Sequence, residues 1–161
     1  MKKMMMAMLA ASAAFATPAM AATSATYSVT GNVNAICSIS AGVTLDFGNL
    51  TDASGAFSNS ASPEATDANA YCNQAATTIQ IAHSDMTTAG AASSGFTNVV
   101  GFTPVVTASS ATFTGDKAAG TLIGAFSSLK VKAQSAAPSG GLKLVAGSYS
   151  GSITLTLTPA S

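Results

Sequence analysis

A chain of 161 residues with 7% charged and 48% hydrophobic residues and a formal net charge of zero is long enough for one domain with a real core. It has no electrostatic footprint for nucleic acid, whose phosphates require clustered Lys or Arg. Beyond residue 22, four lysines (Lys117, Lys130, Lys132, Lys143) and no arginine stand against six acids (Asp46, Asp52, Glu64, Asp67, Asp85, Asp116), a formal charge of −2 with no polybasic membrane patch.

The N-terminus has the pattern of a cleavable signal peptide. Lys2 and Lys3 precede the apolar run Met4 to Phe15, and Ala19-Met20-Ala21 supplies a small-residue cleavage site. Residues 1–21 are therefore expected to be removed, leaving residues 22–161 as a single exported domain. The run is too short for a membrane anchor, which needs roughly 20 apolar residues.

Next comes a period of two. Tyr27, Val29, Gly31, Val33, Ala35, Cys37 and Ile39 share one face, and mostly Ser, Thr and Asn share the other. This alternation predicts a strand with one buried face. Shorter strands are expected over 43–47, 77–83, 98–106, 121–125, 128–134 and 142–145. A long alternating strand over 149–158 turns Tyr149, Gly151, Ile153, Leu155 and Leu157 one way and Ser and Thr the other. Turn-forming residues separate these runs at 52–55, 58–63, 89–95, 115–116 and 138–141. The Ala-rich stretch 61–76 has room for a short helix, though Ser, Thr and Pro dilute it. Many short strands with polar turns indicate an all-β fold, an antiparallel sandwich or barrel. An outer-membrane barrel fits less well, because Trp is absent and aromatics are too scattered to form girdles.

Cys37 and Cys72 are the only cysteines. In an exported chain they are most simply one disulfide, worth about 4 kcal/mol on the chain-entropy estimate. With the single His83 they do not complete a metal shell. The run His83-Ser84-Asp85 names the residue types of a triad, but neighbours on a strand point to opposite faces. No spacing pairs two carboxylates, and Asp46, inside an apolar run, reads as an exposed strand position. Gly140-Gly141 precedes a strand and reads as a turn, not a phosphate cradle. Neither an enzyme nor a cofactor, metal or small-molecule substrate is expected.

Both ends of this chain resemble chaperone–usher pilin subunits. Gly31-Asn-Val33-Asn-Ala-Ile-Cys37-Ser-Ile39 followed by Leu45-Asp-Phe-Gly48 is similar to the beginning of the spore coat protein U family of archaic pili. Gly147-Ser-Tyr149 leading into Ile153, Leu155 and Leu157 resembles the last strand of the same subunits. The placing of Cys37 and Cys72 resembles the pilin disulfide that ties the first strand to the next. The resemblance implies an immunoglobulin-like sandwich lacking its final strand, with a groove lined by Tyr149, Ile153, Leu155 and Leu157. It also implies filling of that groove first by a periplasmic chaperone and then, at an outer-membrane usher, by another subunit's N-terminal extension. The donor residues would be Tyr27, Val29, Gly31 and Val33, and the destination an extracellular fimbrium serving adhesion or biofilm formation. With the first strand beginning near Asn32, about nine residues remain as donor. The alternative is a self-complete secreted sandwich that binds a surface glycan or protein.

Overall fold

The computed structural model describes residues 23–109 and 111–160; the expected signal peptide, 1–21, lies outside the described residues. Contacts divide the chain between Asn32 and Val33. Within the first unit, 23–32 carries no regular secondary structure, and Tyr27 and Val29 are exposed.

The second unit is an all-β, sandwich-like fold. Its strands are β1 (Cys37–Ser38), β2 (Glu64–Asp67), β3 (Tyr71–Cys72), β4 (Thr78–Thr87), β5 (Phe96–Thr97), β6 (Val99–Ala108), β7 (Ala111–Thr114), β8 (Lys117–Leu122), β9 (Leu129–Pro138), β10 (Lys143–Leu144) and β11 (Ser150–Thr158). A single 3-10 turn, Ser139–Gly141, occupies the expected turn before β10. No described residue lies in an α-helix. The Ala-rich stretch 61–76 forms β2 and β3 rather than a helix, because β2 finds a ladder partner in β9 and Cys72 is bonded to Cys37.

One antiparallel sheet runs in the order β11-β4-β6-β9-β2 and curls over the core; β7 adds to β6 and β8 to β4. Alternation supplies its inner face: Ile79 and Ile81 from β4, Val100, Phe102, Val106 and Ala108 from β6, and Leu129 and Ala133 from β9 are buried. Fully burying one such branched side chain contributes about 1.5–3 kcal/mol.

Two bulges shift this alternation. On β4, three residue steps (Ser84 to Thr87) oppose two on β11 (Ser152 to Ser150), and the buried position after His83 is Met86. On β9, three steps (Gln134 to Ala137) oppose two on β6, Ser135 takes φ 57°, and burial moves from Ala133 to Ala136. An extra residue in one strand flips the parity of every side chain beyond it. The expected strands 77–83 and 128–134 therefore continue past the points where their alternation ends.

The predicted strand over 27–39 is realised only at Cys37–Ser38, paired with β3, and the predicted strand 43–47 is not a strand. Segment 121–125 begins earlier, as β8. The expected turn at 115–116 joins β7 to β8, with Gly115 at φ 73°.

Candidate functional site

An open groove of about 1580 Å³ runs along the body. One wall is the segment from Ile39 to Asn49, the other is Leu144 to Leu155, and the floor includes Met86, Phe102, Leu129, Val131 and Ala133. Among the described residues that line it, Asp46 and Asp67 alone are charged. Both are occupied: Asp46 accepts the Gly48 amide at 2.7 Å, and Asp67 accepts the Ser40 amide at 2.7 Å and those of Asn69 and Ala70 at 3.0 and 3.1 Å. The Ser40 amide, foremost, holds the Asp67 carboxyl below its ordinary range. With no free charge and a lining that mixes Ser and Thr with apolar side chains, the groove is suited to an uncharged, extended occupant.

The far wall is built by β11, an end strand of the sheet. Ile153, Leu155 and Leu157 alternate inward and are half-buried, while Thr154, Thr156 and Thr158 face out. Ile153 and Leu155 line the groove; Leu157 packs against the cluster that holds Ile79 and Ile81. Tyr149 turns the corner into β11. Its hydroxyl donates to the Val145 carbonyl at 2.8 Å and, more weakly, to that of Thr97 at 3.3 Å. Burial pushes this phenol above its ordinary pKa. Gly151 allows β11 to close on β4: a Cβ there would lie 2.6 Å from the Ser84 carbonyl oxygen.

The near wall is held differently. Among the described residues no strand pairs with 39–47. Side chains clamp it instead. Asp67 binds Ser40 at one end, and at the other Asn59 Nδ2 donates to the carbonyls of Phe47 and Asn49 at 2.8 Å each. Leu45 is half-buried and Phe47 buried, whereas Ile39 and Val43 remain 42% and 67% exposed. This is a wall with inward-facing side chains and an unfilled backbone edge.

The disulfide joins Cys37 to Cys72, which stand directly opposite each other in the β1–β3 pairing. It fixes the start of the near wall. Of the expected donor residues, Tyr27, Val29 and Gly31 lie in the 23–32 segment, and Val33, 83% exposed, opens the second unit. The expected groove residues Tyr149, Ile153 and Leu155 come together; Leu45, Phe47, Met86, Phe102 and Val131 complete the cavity and were not singled out as a site. The alternation of Leu45 and Phe47 was the available signal for the near wall.

His83, Ser84 and Asp85 do not assemble into a triad. His83 Nδ1 is 2.6 Å from Asp116, its Nε2 is 3.6 Å from Asp85, and its ring meets Phe102 edge-on at 5.2 Å. The Ser84 hydroxyl is 3.0 Å from that of Ser152, on β11.

No described helix is long and apolar enough to cross a membrane. Compared with protein-family models, with curated proteins and with solved structures, the chain finds no match.

Proposed function

We propose that this protein is a structural subunit of a secreted surface fibre, a pilin-like sandwich whose groove receives a strand from another copy or a related subunit by donor-strand exchange. The observation that carries the reading is the groove between the unpaired segment 39–47 and the end strand β11. It has the length and the flanking backbone edges of a place for one strand, and Leu45, Phe47, Phe102, Ile153 and Leu155 offer it apolar side chains. Such an edge left open invites aggregation, and strand addition satisfies it with backbone hydrogen bonds while alternate side chains enter the groove.

Two further features support it. In immunoglobulin-like sandwiches a tyrosine at the start of the penultimate strand bonds back to the backbone a few residues upstream; Tyr149 bonds to Val145 in that manner at the start of β11. On this reading β11 is penultimate, and its missing neighbour is the strand that the groove accepts. Length also suits. Residues 23–33 precede the Asn34 carbonyl that Asn73 binds and span about 36 Å when extended, against about 30 Å for the nine residues of β11. A periplasmic chaperone and an outer-membrane usher are the partners this assembly needs, and the extracellular surface is its destination.

The test is to purify the exported chain alone and with residues 22–36 appended after Ser161 through a flexible linker. Burying Tyr27, Val29 and Val33 in the groove supplies roughly 5 kcal/mol, so the extended version is expected to be a monomer that melts well above the unmodified chain. A stable, unmodified monomer unaffected by the addition would refute donor-strand exchange and leave a self-complete binding module.

A further inference from the structure

If the groove accepts a strand, the nearest candidate is the chain's own N-terminal segment. A short tether gives such a segment an effective concentration in the millimolar range, so at micromolar protein self-filling would outcompete assembly unless something prevents it. Resting on the fibre-subunit reading, we infer that Asn73 is a positioning residue that blocks self-filling and so reserves residues 23–33 for the groove of a second copy.

The geometry is as follows. Cys37 packs into the cluster with Leu155 and Leu157, while Leu45 and Phe47 join the cluster with Tyr149. The near wall therefore runs opposite to β11, and the chain enters it through Cys37 at the Leu157 end. For all of 23–33 to lie in its own groove, the segment would have to fold back beside 39–47, with a tight reversal within residues 34–38. That stretch is pinned to Asn73. Asn73 Nδ2 donates to the Asn34 carbonyl at 2.8 Å, the Ile36 amide donates to Asn73 Oδ1 at 2.8 Å, and the Asn73 amide donates to the Ile36 carbonyl at 3.2 Å. Immediately beyond, Cys37 and Ser38 are paired with Cys72 and Tyr71, and the disulfide closes the same step. One side chain thus spans both sides of the residue about which a hairpin would turn. No such reversal is needed when the strand comes from another molecule.

Two substitutions separate this role from a merely structural one. Asn73→Ala removes both side-chain bonds and keeps the disulfide. Ala35→Gly leaves Asn73 intact and creates an Asn-Gly pair, the preferred sequence of a two-residue reversal. The exported full-length mature chains, disulfide formed, are refolded from denaturant over a hundredfold range of concentration. The share of monomer is then measured by light scattering, and uptake of a labelled synthetic peptide of residues 22–36 by fluorescence anisotropy. The wild type is expected to form oligomers in proportion to its concentration, and its remaining monomer to take up the peptide. In Asn73→Ala, the peptide-refractory monomer should rise about tenfold and become independent of concentration, as loss of two hydrogen bonds allows. Ala35→Gly should move several-fold the same way, and it carries the test if circular dichroism shows Asn73→Ala misfolded. Wild-type concentration dependence and peptide uptake in the folded variants would overturn the role of Asn73 while leaving strand exchange standing. A wild-type monomer that refuses the peptide at every concentration would overturn both.

Discussion

Replacing Tyr149 with Phe tests the corner that aims β11 along the groove. The ring, half-buried against the cluster of Phe47, Met86 and Phe102, is retained, so the change isolates one hydroxyl. Thr97 keeps a donor after the substitution, because its carbonyl also accepts the Val145 amide at 3.0 Å. The Val145 carbonyl loses its 2.8 Å partner. One net hydrogen bond is worth about 1 kcal/mol, which for a domain of this size is about 3 °C in Tm. The pH dependence sharpens the test. Because burial raises the folded-state pKa of the phenol, the unfolded chain releases this proton first. The associated stability is complete below about pH 10 and is lost as pH rises through the folded-state value. Thermal melts followed by circular dichroism at pH 7 and pH 11 should show the wild type losing more stability than Tyr149→Phe across that interval. Equal melting at pH 7 together with parallel loss at pH 11 would refute the assigned role of the hydroxyl.

Other expectations follow from the same contacts. Gly151→Ala sets a Cβ against the Ser84 and Asp85 backbone, and should cost about 1–3 kcal/mol in chemical denaturation. Wild-type stability in that variant would show that β11 does not depend on the close approach. Ile81→Ala, buried on β4 opposite Leu155 of β11, should cost about 2–5 kcal/mol; a loss under 1 kcal/mol would show the site to be loosely packed. For Asp67, folding lowers the carboxyl pKa, so its contribution is present above the ordinary carboxylate range and is lost as pH falls through the lowered value. Hydrogen exchange at the amides of Ser40, Asn69 and Ala70 should accelerate in acid relative to strand amides, and uniform acceleration would count against the clamp. Reducing Cys37–Cys72 should remove about 4 kcal/mol, read as a lower denaturation midpoint; an unchanged midpoint would contradict the loop-closure account.

The strands most legible in the sequence were those whose alternation meets an unbroken ladder. β11 has Ile153, Leu155 and Leu157 at every second position, and its predicted range differs from the observed one only at Tyr149. β4 and β9 were legible only up to their bulges, since a period of two cannot be followed through an inserted residue such as Ser135. Alternation also overstated the first strand. Tyr27 to Ile39 has the right pattern, but a strand requires a neighbour, and among these residues only Cys37 and Ser38 pair with another strand. β7 and the start of β8 carry little apolar pattern, and their pairing with β6 and β4 is set by tertiary context. The groove floor was hidden for a related reason. Phe102 and Val131 alternate inward whether they meet other side chains or an open channel, and only the path of the near wall distinguishes the two.

The disulfide has a mechanical consequence. In a fibre assembled as proposed, tension on a subunit arrives through its N-terminal segment, whose backbone meets the body at Asn34 to Cys37, and leaves through the foreign strand lying beside β11. Without the disulfide, this junction would resist peeling only through the Asn73 bonds and two residues of ladder. The covalent bond to Cys72 passes the pull directly to β3, beyond which the chain continues into β4, the long strand that carries β11. Force is then borne as shear along the β4–β11 ladder, where many bonds must yield together. Stretching single fibres with and without reductant should show reduced subunits lengthening by the 35 residues between Cys37 and Cys72, an extension absent while the disulfide is intact.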